Sequence, residues 1–209
     1  EPESREEYIS FIRKITNRLH AEGFTVNVDL APKTSAEQTG LLYEAQDYAA
    51  IGEIADTVLV MTYEWGYTYG PPMAVAPINN VKTVLNYALT EIPPEKILLG
   101  IPNYGYDWKL PYIRGESMAE TIGNLQAVQR AKLFGAEIQF DEIAQTPFYT
   151  YTAKDGSEHI VWFEDARSIK AKLALIQDNN LRGAGYWNTM RPFPQNWAVL
   201  NNTFEIEKI

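Results

Sequence analysis

Residues 58–72 read VLVMTYEWGYTYGPP. Val58–Val60 form a short apolar run of the kind that fills a buried parallel strand, and Gly66, Gly70, Pro71 and Pro72 supply turn chemistry after it. Between run and turns the chain sets a carboxylate, Glu64, and four rings, Tyr63, Trp65, Tyr67 and Tyr69. A buried strand that ends this way presents its C-terminal end to a ligand. That is the end at which parallel α/β folds gather their binding groups.

Working outward, the same unit recurs on either side. Upstream, the 4–23 stretch SREEYISFIRKITNRLHAEG reads as a helix. Ser4 can cap it with Glu7 three residues on, Tyr8, Phe11, Ile12, Ile15 and Leu19 form an apolar stripe, and Gly23 suits the stop. FTVNVDLAP at 24–32 follows as a strand, and YEAQDYAAIGEIA at 43–55 as a short helix. Downstream, INNVKTVLNYALTEI at 78–92 predicts a helix capped near Asn79 or Asn80, and KILLGIPNYGY at 96–106 another strand. EDARSIKAKLALIQDNN at 164–180 reads as a helix running into RGAGYW at 182–187. Helix and strand alternate at βα spacing, so the strands near 24–31, 56–63, 96–103 and 182–187 should be parallel. Four such units do not close on themselves, and the pattern predicts the C-terminal half of a (β/α)8 TIM barrel.

Between Trp108 and Asp165 the rhythm changes. NLQAVQRAKLFG at 124–135 is helical, but AEIQFDE at 136–142 and PFYTYTAKDGSEHIVWFE at 147–164 read as antiparallel strands with a hairpin turn at Asp155-Gly156. The expectation is a small α+β insertion within an α/β domain.

Composition narrows the partners. A net charge of −9 argues against nucleic acid, which is held by clustered Lys and Arg. No cysteine is present, so disulfides, thiolate metal sites and cysteine nucleophiles are excluded, and two histidines give a metal cluster or serine-histidine triad little to draw on. No cofactor motif and no run long enough for a membrane span is found. Carboxylates, tyrosines and tryptophans remain.

These gather at the predicted strand ends: Asn27, Asp29 and Lys33; Tyr63, Glu64 and Trp65; Asn103, Tyr104 and Tyr106; Trp187 and Asn188. Flat apolar rings beside hydroxyls, amides and a carboxylate suit a sugar. Trp187 stands out because it ends the glycine-rich GAGYW. Trp108, Trp162 and Trp197 read as packing residues, and His20 and His159 as surface or structural ones. Glycoside hydrolysis ordinarily uses paired carboxylates, yet Glu64 has no neighbouring partner. The acidic residues of FDE at 140–142 and FEDA at 163–166 read as turn and helix-start carboxylates. The chain thus predicts a sugar-binding face without a general acid of its own.

Several of these segments, in the same order, resemble glycoside hydrolase family 18, the chitinase-like (β/α)8 enzymes, and more narrowly the spore-cortex and cell-wall N-acetylglucosaminidases of spore-forming bacteria. MTYEWG is similar to the family's M-x-Y-D strand, with Glu64 where chitinases carry Asp. GIPNYGYDW at 100–108 is similar to G-x-P-x-Y-G, LRGAGYW to the last strand, and PFPQNW at 192–197 to the cell-wall subgroup. The resemblance implies strands five to seven of the barrel within residues 1–108, the insertion at 109–164, and the last helix and strand at 165–209. It further implies that Tyr63 orients the substrate acetamido group as a catalytic residue, that Trp187 stacks beneath the sugar, and that Glu64, Trp65, Asn103 and Tyr104 line the subsite. The implied substrate is a β-1,4-linked N-acetylglucosamine polymer, peptidoglycan favoured over chitin, met outside the cell in the wall or the spore coat and cortex.

One departure matters. The family's D-x-x-D-x-D-x-E signature, which supplies the acid, does not occur here. The resemblance places the acidic Glu just upstream of Glu1, which is itself a poor substitute. The fragment alone is therefore expected to be inactive, and two open sheet edges predict either a homodimer or a need for the missing half. The alternative is a non-catalytic carbohydrate-binding or scaffold protein on the same fold.

Overall fold

The computed structural model describes residues 2–206, so Glu1 lies outside the described residues. In chain order the elements are α1 (Arg5–His20), β1 (Asn27–Leu30), α2 (Tyr48–Ile54), β2 (Thr57–Val60), α3 (Ile78–Glu91), β3 (Ile97–Pro102), β4 (Gly105–Lys109), β5 (Glu120–Ile122), α4 (Asn124–Phe134), β6 (Gln139–Asp141), β7 (Thr146–Thr152), β8 (Glu158–Trp162), α5 (Ala166–Asp178), β9 (Gly183–Trp187) and α6 (Pro194–Thr203). The chain folds as two compact units. One runs up to Thr62 and adds Asn80–Gly100 and Leu175–Gly185; the other comprises Tyr63–Asn79, Ile101–Ala174 and the chain from Tyr186 on.

The first unit is the βα layer. β1 pairs with β2 and β2 with β3, both in parallel, in a four-stranded sheet of order β1-β2-β3-β9. Val58, Val60, Ile97 and Leu99 are fully buried while Leu59 and Leu98 between them are half-buried, so burial alternates along the strands. The α1 stop is as expected: Gly23 adopts φ +82, its N–H reaches the His20 carbonyl, and Phe24 N–H donates to Leu19 O at 3.0 Å. The start differs. Ser4 precedes the helix but makes no side-chain cap bond, because φ −93 and ψ 16 are not the extended backbone that aims a cap hydroxyl at the first turn. Helix α2 is capped instead by Asp47, whose Oδ1 accepts from Ala50 N–H at 2.9 Å.

The second unit is built on an antiparallel sheet of order β5-β4-β8-β7-β6. Its hairpin turns at Asp155-Gly156 as predicted, with Gly156 at φ +84 and Ala153 N–H bonded to Ser157 O at 2.8 Å. α4 and the sheet share a core of Ile122, Ala127, Ala131, Tyr149, Val161 and Phe163. Asp165 caps α5 by accepting from Arg167 N–H at 2.8 Å and Ser168 N–H at 3.0 Å, and Asp141 Oδ1 takes the amides of Ile143 and Ala144 in a turn. Both carboxylates therefore hold backbone, as their sequence context indicated.

Two elements depart from expectation. KILLGIPNYGY is not one strand: β3 stops at Pro102, and Gly105 starts β4 in the antiparallel sheet. A Cβ at Gly105 would lie 2.2 Å from Trp162 O, so only glycine lets β4 approach β8. Helix α3 begins at Ile78, which puts Asn79 and Asn80 in its first turn rather than at its cap; Pro77, with no N–H and a fixed φ, stands just before it.

Candidate functional site

The segment after β2 builds the site from its backbone upward. Trp65 N–H donates to Val75 O at 3.0 Å and Gly66 N–H to Ala74 O at 2.9 Å, closing the 65–75 loop. A Cβ at Gly66 would sit 2.1 Å from Met73 O, so glycine is required for this closure. The loop is then tied down by Trp108 Nε1–H to Gly70 O at 2.9 Å, Tyr112 OH to Tyr69 O at 2.9 Å and Ala119 N–H to Thr68 O at 2.7 Å. Tyr67 and Tyr69 remain exposed.

Glu64 sits at φ +70, a backbone region uncommon for a residue with a Cβ. Its carboxylate is clamped by two phenols. Tyr104 OH donates to Oε1, and Tyr106 OH donates to Oε1 at 3.0 Å and lies 3.3 Å from Oε2. The two rings meet edge to face with centroids 5.7 Å apart and belong to a buried cluster with Val75, Trp108 and Ala119, against which Tyr63 packs half-buried. Burial, reinforced by the Glu64 bond, pushes the Tyr104 hydroxyl far above its ordinary range, and burial raises that of Tyr106. Both phenols therefore stay protonated donors at any working pH.

Asn103 carries the clamp to the last strand. It is fully buried, its N–H donates to Trp187 O at 2.8 Å, and its Nδ2 donates to Asn188 O at 3.0 Å and Arg191 O at 3.2 Å. Trp187, so held by its main chain, is 58% exposed, which fits a stacking surface and not a core residue. The compact unit from Tyr63 onward thus contains all six residues expected at the subsite: Tyr63, Glu64, Trp65, Asn103, Tyr104 and Trp187. Asn27, Asp29 and Lys33 belong to the other unit. There Asn27 Nδ2 donates to Asp29 at 2.8 Å, and buried Lys33 donates its ammonium to Gln46 O at 3.1 Å.

Three features were not foreseen. Tyr106 is the second donor to Glu64; its i,i+2 relation to Tyr104, which puts both on one face of the chain, was the available signal. Asp107, also buried, accepts from Arg130, from Tyr151 OH at 2.7 Å and from His159 Nδ1 at 2.7 Å, giving His159 the structural role foreseen for it. Glu164 and Lys172 form a buried ion pair at 2.9 Å. Among the described residues no cluster of His, Asp and Glu could hold a metal ion, and no helix is long and apolar enough to cross a membrane.

Residues 1–191 match glycosyl hydrolases family 18. The chain is 51% identical over 207 residues to the cortical fragment-lytic enzyme of Bacillus subtilis (strain 168), covering 99% of this chain and 48% of that protein. The spore cortex-lytic enzyme SleL of Bacillus megaterium QM B1551 superposes with a TM-score of 0.95 at 48% identity, over 100% of this chain and 48% of that one. A chitinase from Chromobacterium violaceum ATCC 12472 superposes at 0.90 with 28% identity, over 97% of this chain and 62% of the other. The chain spans about half the length of the curated relatives it matches. These neighbours are TIM-barrel α/β proteins, which bears out the fold class read from the strand rhythm. With the match covering residues 1–191, the chain belongs to glycosyl hydrolases family 18.

Proposed function

We propose that this chain forms the sugar-binding portion of a glycosidase that hydrolyses β-1,4-linked N-acetylglucosamine polymers, peptidoglycan in preference to chitin, by substrate-assisted retention. The observation that carries the reading is Trp187, an exposed ring whose main chain is tied to Asn103, the neighbour of the Tyr104–Glu64 clamp. Family membership and the cortex-lytic names of the relatives support the choice of reaction and glycan. The site of action is then the cell wall or spore cortex.

In this mechanism the acetamido oxygen of the bound sugar attacks its own anomeric carbon while a carboxylic acid protonates the departing oxygen. Water then opens the oxazolinium, an exception to the two-carboxylate scheme. Trp187 stacks beneath the ring and Trp65 lines the subsite. Tyr63 donates to the acetamido oxygen, orienting it and countering the charge that develops there. Glu64, already accepting from two phenols, sets the local charge and does not transfer a proton. Asn103 and Tyr104 act by positioning Trp187 and Glu64. The acid comes from outside these 209 residues, so the chain alone hydrolyses nothing.

The test compares the full-length protein with the 209-residue chain on peptidoglycan fragments and on chitotetraose, following reducing-end release and the anomer first formed. Turnover by the full-length protein alone, with the β anomer appearing first, is expected. Tight glycan binding with no turnover by the full-length protein would establish the non-catalytic alternative instead.

A further inference from the structure

One residue past Trp187 the surface opens into a cleft of about 510 Å³ lined by Gly123, Leu125, Gln126, Asn188, Met190, Arg191 and Pro192. Arg191 is its cation. The residue is half-buried, and no carboxylate or other acceptor among the described residues engages its guanidinium; its carbonyl accepts from Asn103 Nδ2 at 3.2 Å. Arginine presents a planar fork matched to carboxylates, so this guanidinium offers one a bidentate partner. In a chain of net charge −9, leaving it unpaired preserves a local site for an anion. Leu125, Met190 and Pro192 add apolar wall beside it.

The main chain of the cleft is also tied to that of Trp187 through Asn103. Asn103 holds Trp187 through its carbonyl and holds Asn188 and Arg191 through theirs, and Asn188 Oδ1 accepts from Met190 N–H at 3.1 Å. The main chains that carry the indole and the guanidinium are therefore tied to one residue. A ligand that fills both is a sugar ring carrying a short branch with a carboxylate and an apolar carbon.

The geometry points to this cleft as a specificity subsite for the free lactyl ether of a muramyl residue. The carboxylate is taken by Arg191 and the lactyl methyl by Leu125, Met190 and Pro192. N-acetylglucosamine has no such branch, so the cleft separates peptidoglycan from chitin. The inference rests on the glycosidase reading above, which it deepens by naming what selects the glycan.

Gly123 supplies a second handle. Its backbone, φ −75 and ψ 150, accepts any residue, and a Cβ there would lie 3.8 Å from Arg191 Nη1 and 3.3 Å from the flexible Gln126 Oε1. Gly123→Asp puts a carboxylate beside the guanidinium while installing a favoured helix cap.

The experiment is calorimetric titration of the full-length protein with three probes: a muramyl-glucosaminyl tetrasaccharide with free lactyl carboxylates, its methyl ester, and chitotetraose. The wild type should prefer the acid over the ester about tenfold, the scale of one charged hydrogen-bonded pair. Arg191→Gln and Gly123→Asp should each bring that ratio near one, with thermal unfolding unchanged and Arg191→Lys keeping part of the preference. Equal affinity for acid and ester in the wild type, or an Arg191→Gln effect of the same factor on all three probes, overturns this inference and leaves the glycosidase reading intact. Binding of none of the three overturns both.

Discussion

The buried pair of Glu164 and Lys172 offers the sharpest test of how this fold is held together. The side chains are 0% and 1% exposed, with Nζ 2.9 Å from Oε2. At that separation and an effective dielectric of 20, their attraction is about 6 kcal/mol. Lys172→Met removes the cation but keeps the volume, leaving a carboxylate in the core. Burial already raises the Glu164 carboxyl above its ordinary range, and Lys172 is the chief influence opposing that rise. Without it Glu164 escapes part of the penalty by taking a proton, so the net cost at neutral pH should be about 3–5 kcal/mol. With a urea slope of about 2 kcal/mol/M, the midpoint should fall by about 2 M.

The sign of the pH dependence is fixed as well. A carboxyl raised on folding favours the protonated native state, so its contribution is fully present below the unfolded pKa and is lost as pH rises. The Lys172→Met deficit should therefore shrink between pH 7 and pH 4.5. Glu164→Leu combined with Lys172→Met should recover to about the wild-type stability or exceed it, since two apolar groups replace a desolvated pair. Urea melts of the three proteins at both pH values measure all of this. A single-variant cost below about 1 kcal/mol, or a deficit independent of pH, would refute the reasoning.

Other outcomes are expected at the site and beyond it. Trp187→Ala should weaken chitotetraose binding by the full-length protein about tenfold while leaving the unfolding midpoint unchanged, since the ring is largely exposed; calorimetry and thermal melts separate the two. Tyr104→Phe should cost about 1 kcal/mol in urea melts, because Glu64 keeps Tyr106 and water as donors. Gly66→Ala, whose Cβ would overlap Met73 O, should shift the 65–75 loop and raise its amide exchange by more than tenfold, read by hydrogen-exchange mass spectrometry. The hydrogen bond from Arg130 holds the Glu120 carboxyl below its ordinary 4.5, so that contribution is present above this pH and lost below it. Arg130→Gln should flatten the decline in urea midpoint from pH 5 to pH 3.

What could be read in advance was whatever local chemistry decides. Val58–Val60 and Ile97–Leu99 declare buried strands by their own run, Asp155-Gly156 declares a hairpin, and Asp165 declares a helix start through amides two and three residues on. Trp187 stood out because a large ring ends a glycine-rich strand. The break of β3 at Pro102 could not be read, because what forces it, the close backbone of Trp162, lies far along the chain. The same holds for Glu164, which reads as one more helix-start acid until Lys172 is seen against it in the core. Arg191 could not be singled out for the opposite reason: among the described residues no acid engages it, and a sequence does not show which acids stay away.

Asn103 has one more consequence, for how such a protein can change over generations. Its side chain reaches a residue 85 positions away and so closes a circuit around the whole antiparallel sheet. The main chain at Trp187 is tied back to the residue where that excursion begins. Loops in the sheet can lengthen, shorten or acquire new contacts to a polymer without moving the indole, provided position 103 keeps a short amide. Variation can accumulate in the excursion while the main chain at Trp187 keeps this tie.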